Sequence, residues 1–248
     1  MSGAELLDIF DDNGQRIGTK TRDAVHLNHD WHQLVFVWCA WRASDGLRMR
    51  PTGENTKYSR LGRMSHRSGQ DGRGALRMLL QQRSRPDDPY VKSLDALAGG
   101  HVGAGEDHRS AARRELMEEV GIELTPDDLV YLGQRRLERH TGHCQRVIQH
   151  FYLWDGRMDP MWVSFSDEVQ GVVELDLDEL ASLLAGERET IEGTARLASD
   201  PDELRATRIT LESFSAYPEA ILDIFRRSLR AVRAHVLFQQ VDRSVWLD

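Results

Sequence analysis

Between Gly99 and Ile122 the chain reads GGHVGAGEDHRSAARRELMEEVGI, and this run constrains the local fold more tightly than any other segment. Gly99, Gly100, Gly103 and Gly105 allow a loop whose backbone can take conformations closed to other residues and can approach a ligand closely. From about Asp107 to Val120 the run reads as a helix, because Ala111, Ala112, Leu116 and Val120 recur at roughly helical spacing among strong helix formers. Gly121 is a natural stop. Glu115, Glu118 and Glu119 lie three and four residues apart, so the spacing predicts their carboxylates on adjoining turns, on the side opposite the apolar stripe. A solvated acidic face balanced by Arg113 and Arg114 is the ordinary reading of such a helix. The alternative is a seat for a hard cation such as Mg2+, which takes oxygen ligands and is shared between a few carboxylates and substrate phosphates.

The spacing itself decides between them. Gly100, Glu106, Arg114, Glu115, Leu116, Glu118, Glu119, Gly121 and Ile122 match every specified position of the Nudix box, G-x5-E-x7-R-E-U-x-E-E-x-G-U with U a bulky aliphatic residue. Agreement at all these positions by chance is on the order of one in a million. The resemblance implies an α+β Nudix fold, a mixed β-sheet sandwiched between helices. It also implies hydrolysis of a diphosphate linkage with Mg2+ or Mn2+. In that family's terms Glu118 and Glu119 are the main metal ligands, and Glu115 is a further ligand or a base acting on water. The Gly99 carbonyl completes the metal sphere, Glu106 joins the cluster or pairs with the motif arginine, and Arg114 orients carboxylates. A bound cation neutralises phosphoryl oxygens and lowers the pKa of water. The family's general base often comes from a glutamate on a later loop, and Glu168 in SFSDEVQGVVELDLDEL is the candidate, with Asp167 and Glu138 as weaker ones. An exposed loop acid is the equal alternative for Glu168.

Outside the box, DIFDDNGQRIG, His26 followed by Trp31 and His32, VFVWCAW, and LLQQRS before LAGGHV resemble the Nudix branch related to isopentenyl-diphosphate isomerases, over about residues 5–185. Those isomerases protonate an alkene with a cysteine just before the Gly-His pair, where this chain has Gly99, and CQRVIQHFY lacks their downstream glutamates. The resemblance therefore implies a hydrolase rather than an isomerase. A non-catalytic nucleotide-sensing module is the other alternative, although the box acids such modules often lack are all present. Gly100, His101, His32 and Trp31 are the candidate substrate-binding residues. His26, His29, His32 and His101 also form a conceivable vestigial metal site, since neutral imidazoles bind transition metals, but His26, His32 and Trp31 could equally shape a pocket or satisfy core hydrogen bonds. The partner expected is a small-molecule diphosphate, either a nucleoside diphosphate derivative or a small organic diphosphate, prenyl diphosphates included.

The 248 residues suffice for one domain of about 150 residues with additions and a substantial core. The two cysteines, Cys39 and Cys144, match no metal or redox spacing and are expected as buried thiols. No apolar run resembles a signal peptide or a membrane span, so a soluble cytoplasmic protein without membrane partners is expected. A net charge of −8 argues against a general nucleic-acid surface.

Along the chain, residues 5–20 predict a hairpin around Asp-Asn-Gly. His32–Trp41 and Ala75–Gln82 predict strands rich in Val, aromatic and other apolar residues. Residues 43–74 lack a sustained period and read as a flexible insertion. Its Arg48, Arg50, Lys57, Arg60, Arg63, Arg67 and Arg73 suggest solvated disorder or, as the minority view, a substrate lid. Asp128–Arg139, Arg146–Trp154 and Gly171–Leu175 predict strands, and Asp176–Leu184 a helix. Residues 1–186 thus make the expected Nudix domain. Residues 187–248 make a C-terminal helical extension, with helices at Asp200–Leu204 and Ser215–Leu237, packed on the core or, less favourably, forming a homodimer contact.

Overall fold

In the computed structural model, residues 5–45, 75–84, 90–139, 145–214 and 217–247 are described. Nearly all of the 43–74 insertion, with its basic residues, and Cys144 lie outside them. Strands β1 (Leu6–Phe10) and β2 (Arg16–Thr21) form the expected hairpin, with the Asp11 carboxylate accepting from the Asn13 and Gln15 amides at 2.9 and 2.8 Å. A short helix that the periodicity did not indicate, α1 (Arg22–Asn28), follows; Thr21 caps its start and it buries only Val25.

Strand β3 (Trp31–Arg42) organises the rest. It pairs antiparallel with β1, β4 (Leu76–Arg83) and β6 (Ala98–His101), and parallel with β8 (Gln145–Trp154). Successive side chains of a strand face opposite sides, and the β3 sequence is apolar on both. Val35, Val37, Cys39 and Trp41 enter one core, while Trp38 and Ala40, with Leu34 and Phe36 packed beside them, enter the other. This two-sided burial explains why VFVWCAW is a continuous apolar run rather than an alternating one. The first core is closed by α2 (His108–Val120) through Ala111, Ala112, Leu116 and Val120. The second is closed by α3 (Leu177–Leu184) and α4 (Glu219–Phe238) through Leu180, Leu183, Phe225, Leu229 and Val232. The result is the expected α+β arrangement of a mixed sheet between helices.

The sheet also includes β5 (Leu94–Asp95), β7 (Val130–Arg139) and β9 (Val169–Asp176), the first beside β4, the second beside β8 and the third between β4 and the chain's last strands. Those last strands correct one expectation. Asp200–Leu204 is not helical: it begins β11 (Asp200–Ile209), which pairs with β10 (Ile191–Leu197) from Ile191 opposite Ile209, and β10 continues the sheet from β9. β11 is an edge strand, mostly exposed, so its charged side chains carry no buried alternation. Pro201 is tolerated near its start because an edge strand need not donate from every amide.

Beyond this hairpin the expected long helix is present as α4, with its apolar face buried against the sheet. Arg42, at the end of β3, donates to the Val236 and Leu237 carbonyls at 3.1 and 2.6 Å, placing a cation at the helix C-terminus, where the dipole favours it. The last turn stacks Trp246 on Phe151 with ring centroids 4.1 Å apart, and its indole donates to the Leu132 carbonyl at 3.0 Å. Among the described residues no helix is long and apolar enough to cross a membrane.

Candidate active site

The box helix α2 is fixed at both ends by its own sequence. The Asp107 carboxylate accepts from the Arg109 and Ser110 amides at 3.0 and 3.1 Å, satisfying donors the first turn leaves unpaired. At the other end Gly121 takes φ 71, and the Ile122 amide bonds back to the Leu116 carbonyl at 3.2 Å, a Schellman-type closure that needs a residue without a side chain. These caps set which way the three glutamates point.

The carboxylates do not share one solvated face. Glu118 is exposed, whereas Glu115 and Glu119 are turned in beneath β6 and are 9% and 4% exposed. Gly100 makes that possible: a Cβ there would run into the Glu115 carboxylate. The Glu119 carboxylate accepts from the Gly99 amide and from the Gln81 side chain, both at 3.1 Å. Burial raises the Glu115 pKa, opposed by Arg114, while Glu119 is pushed up to about 8, first by burial and then by the charge of Glu115.

Arg114 ties the exposed side of the cluster together. Its guanidinium meets Glu106 through two bonds of 3.1 and 3.0 Å, Glu115 at 2.8 Å, Glu118 at 3.1 Å and the His101 carbonyl at 2.9 Å. A planar fork with every direction engaged orients carboxylates and has no free edge for a substrate phosphate. Glu106 in turn accepts from the Gly103 amide at 3.0 Å, and Asp8 on β1 accepts from the Gly105 amide at 3.0 Å, so the glycine loop is anchored from both sides.

These groups open onto a cavity of about 1360 Å3. Of the residues expected from sequence, Gly99, Gly100, His101, His32, Glu106, Arg114, Glu115, Glu118 and Glu168 all line it. Glu119 stands behind this wall. Trp31 is elsewhere: its indole donates to Asp12 at 2.8 Å and its ring lies under the Arg136 guanidinium, 4.2 Å from the centroid. Of the alternative bases, Asp167 is exposed and not part of the cavity wall, and Glu138 is paired with Arg146 at 2.7 Å on β7 and β8.

Three of the four histidines converge. His26, His32 and His101 offer ring nitrogens that all lie within 4.8 Å of one another, with His26 and His101 Nε2 atoms 3.3 Å apart, while His29 caps α1 and lines the cavity nearby. Burial pushes the His32 pKa down to about 4, leaving a neutral ring that faces the Asp30 carbonyl through Nδ1 at 3.0 Å. Neutral imidazoles at this separation could hold a borderline cation. Sequence reasoning did not single out Gln81, Arg83, Asp95 or Tyr217. Arg83 and the Tyr217 hydroxyl both donate to the Asp95 carboxylate, at 2.9 and 2.8 Å, on the cavity wall. The available signal was LLQQRS, where Gln81 is a polar residue inside a strand buried on both faces.

The NUDIX domain family model matches residues 68–197. An uncharacterized Nudix hydrolase of Clostridium acetobutylicum is 28% identical over 182 residues, covering 73% of this chain and 74% of that protein. One from Yersinia pestis is 41% identical over 71 residues, 27% of this chain and 38% of its own. Among solved structures, a Deinococcus radiodurans protein has 19% identity and a TM-score of 0.46, covering 73% of this chain and 90% of its own. A Caenorhabditis elegans Ap4A hydrolase has 19% identity and a TM-score of 0.37, covering 61% and 84%. The family match spans more than half of the chain, and the box it contains is intact: the chain belongs to the Nudix hydrolases, enzymes acting on pyrophosphate bonds.

Proposed function

We propose that the chain is a pyrophosphohydrolase that depends on Mg2+ or Mn2+ and cleaves the diphosphate linkage of a nucleoside diphosphate derivative or a small organic diphosphate. The observation that carries the reading is the pair Glu115 and Glu119 turned in under the glycine strand, with Glu118 tied to Glu115 through Arg114, beside a large cavity. Glu119, whose pKa is pushed up to about 8 first by burial and then by the charge of Glu115, is the kind of carboxylate a cation would stabilise in its ionised form. The donor set, all oxygen, fits a hard divalent ion. Glu115, Glu118 and Glu119 would hold it, with Glu106 and the Gly99 carbonyl completing the sphere. When bound, the ion supplies charge neutralisation at the phosphoryl oxygens and a more acidic water.

The protein's own residues do the rest. Arg114 keeps Glu106, Glu115 and Glu118 in fixed relation, so no rearrangement is needed when charge develops. Glu168, on the cavity wall, takes a proton from the attacking water. The water oxygen bonds to one phosphorus, the bridging P–O bond breaks, and the leaving phosphate carries away the electron pair. Gly100, His101 and His32 border the path of the substrate. Incubation with a panel of diphosphate compounds and Mg2+ or Mn2+ should release phosphate products. Ligand-induced stabilisation with no turnover across the panel would instead mark a sensing module. Isopentenyl diphosphate should give no dimethylallyl product, because Gly99 stands where the isomerase cysteine would be.

A further inference from the structure

The cavity does not end at the carboxylates. It continues between the sheet and α4, where its wall is made by Leu34, Phe36, Trp38, Phe151, Ile221 and Phe225. Leu34 and Phe36 lie in the middle of the central strand and Ile221 on α4, yet all three are only partly buried, because the cavity keeps them open. Apolar side chains in the centre of a sheet are normally covered by a neighbouring layer. Here the layer stands off and leaves a continuous apolar surface leading away from Glu115 and Glu118.

The polar groups on this wall are few. Arg83, Asp95 and Tyr217 engage one another through the two bonds to Asp95. The Trp38 indole N–H and the Gln149 side-chain oxygen are buried and have no hydrogen-bond partner among the described residues, and both side chains belong to cavity-lining residues. Both atoms are closed off from the open cavity, and Arg83, Asp95 and Tyr217 already engage one another, so a ligand in this arm meets chiefly the apolar side chains. A nucleoside, with two ribose hydroxyls and several polar base atoms, would bury most of them unpaired, and each such loss is costly. A hydrocarbon body would bury none.

We infer that this apolar arm is the specificity pocket of the site and that it takes the hydrocarbon body of an organic diphosphate monoester, alkyl or aryl, in preference to a nucleoside. The inference rests on the pyrophosphohydrolase reading for its phosphate end. Hydrolysis of such a monoester gives the organic monophosphate and inorganic phosphate.

The test uses the full chain with Mg2+, n-alkyl diphosphates from methyl to decyl, and ADP and ADP-ribose. Turnover, read as inorganic phosphate for the alkyl diphosphates and ADP and as AMP for ADP-ribose, should show kcat/KM rising about three- to fourfold per methylene until the arm is filled, with octyl diphosphate above both nucleotides. The matching alkyl methylenediphosphonates, which cannot be cleaved at the bridge, are titrated in parallel for affinity. Leu34→Ser and Ile221→Ser should each lower the octyl-to-methyl ratio of kcat/KM about tenfold. A flat alkyl series with efficient nucleotide turnover would overturn the arm and keep the hydrolase. Affinity that rises with chain length but no turnover of any compound would keep the arm and sink the hydrolase. Variants that lower methyl and octyl turnover equally would reduce Leu34 and Ile221 to structural residues and overturn their assignment.

Discussion

At the scale of single residues the site is a problem of buried charge solved by position. Glu115 fits under β6 only because Gly100 has no side chain, so Gly100→Ala should displace the carboxylate, lower kcat at least tenfold and cost about 1–3 kcal/mol, read from phosphate release and urea unfolding. A second buried group gives a pH signature away from the site. His150 is 3% exposed on β8, stacked on His108, and burial pushes its pKa down to about 3. The unfolded chain takes up a proton there near pH 6.5, while the folded chain does so only near 3. Stability from this group is therefore fully present above about pH 6.5 and falls as pH drops through that window. His150→Phe should reduce the fall of the urea midpoint between about pH 6.5 and 4, the remainder coming from His32 and His108, and an unchanged slope would remove the assignment. The sequence put Gly100 and Glu115 in one motif and grouped His26, His32 and His101 with His29, but spacing alone did not show which side chains meet. The convergence of His26, His32 and His101, and the bond from Gln81 to Glu119, depend on strand register between segments far apart in sequence.

At the scale of elements, what was legible in the chain was what local physics decides. The hairpin around Asp11–Gln15, the doubly buried β3 and the box helix each carry turn, burial or capping signals within their own residues. The helix stop makes this testable: Gly121 holds φ 71 with Ser164 packed against it, so Gly121→Ala should cost more than about 1 kcal/mol in urea unfolding. A smaller loss would mean that the cap has rearranged. Elements with weak local signals were not legible. α1 buries one residue, and β11 is a charged edge strand whose ladder comes from pairing with β10, so its first half, Asp200–Leu204, reads as a helix until its partner is known.

At the scale of the whole molecule, we propose that residues 187–248 fold as one cooperative unit with the rest. β10 continues the sheet from β9, α4 shares a core with β3 and β8, and Trp246 stacks on Phe151. Trp246→Ala should therefore lower stability by about 3 kcal/mol while leaving a single thermal transition; two separated transitions would indicate an independently folding extension. The same assembly places α4 over the apolar arm and α2 under the glycine strand, so one cavity carries both the carboxylates and the hydrocarbon-lined wall. The claim on which all of this depends is that the box glutamates drive hydrolysis. Its most direct measurement is the initial rate of phosphate release from a diphosphate substrate with saturating Mg2+, compared between the wild type and folded Glu118→Gln and Glu119→Gln variants. We expect turnover in the wild type and a loss of at least about a hundredfold in each variant, whereas equal rates in all three proteins would contradict the account.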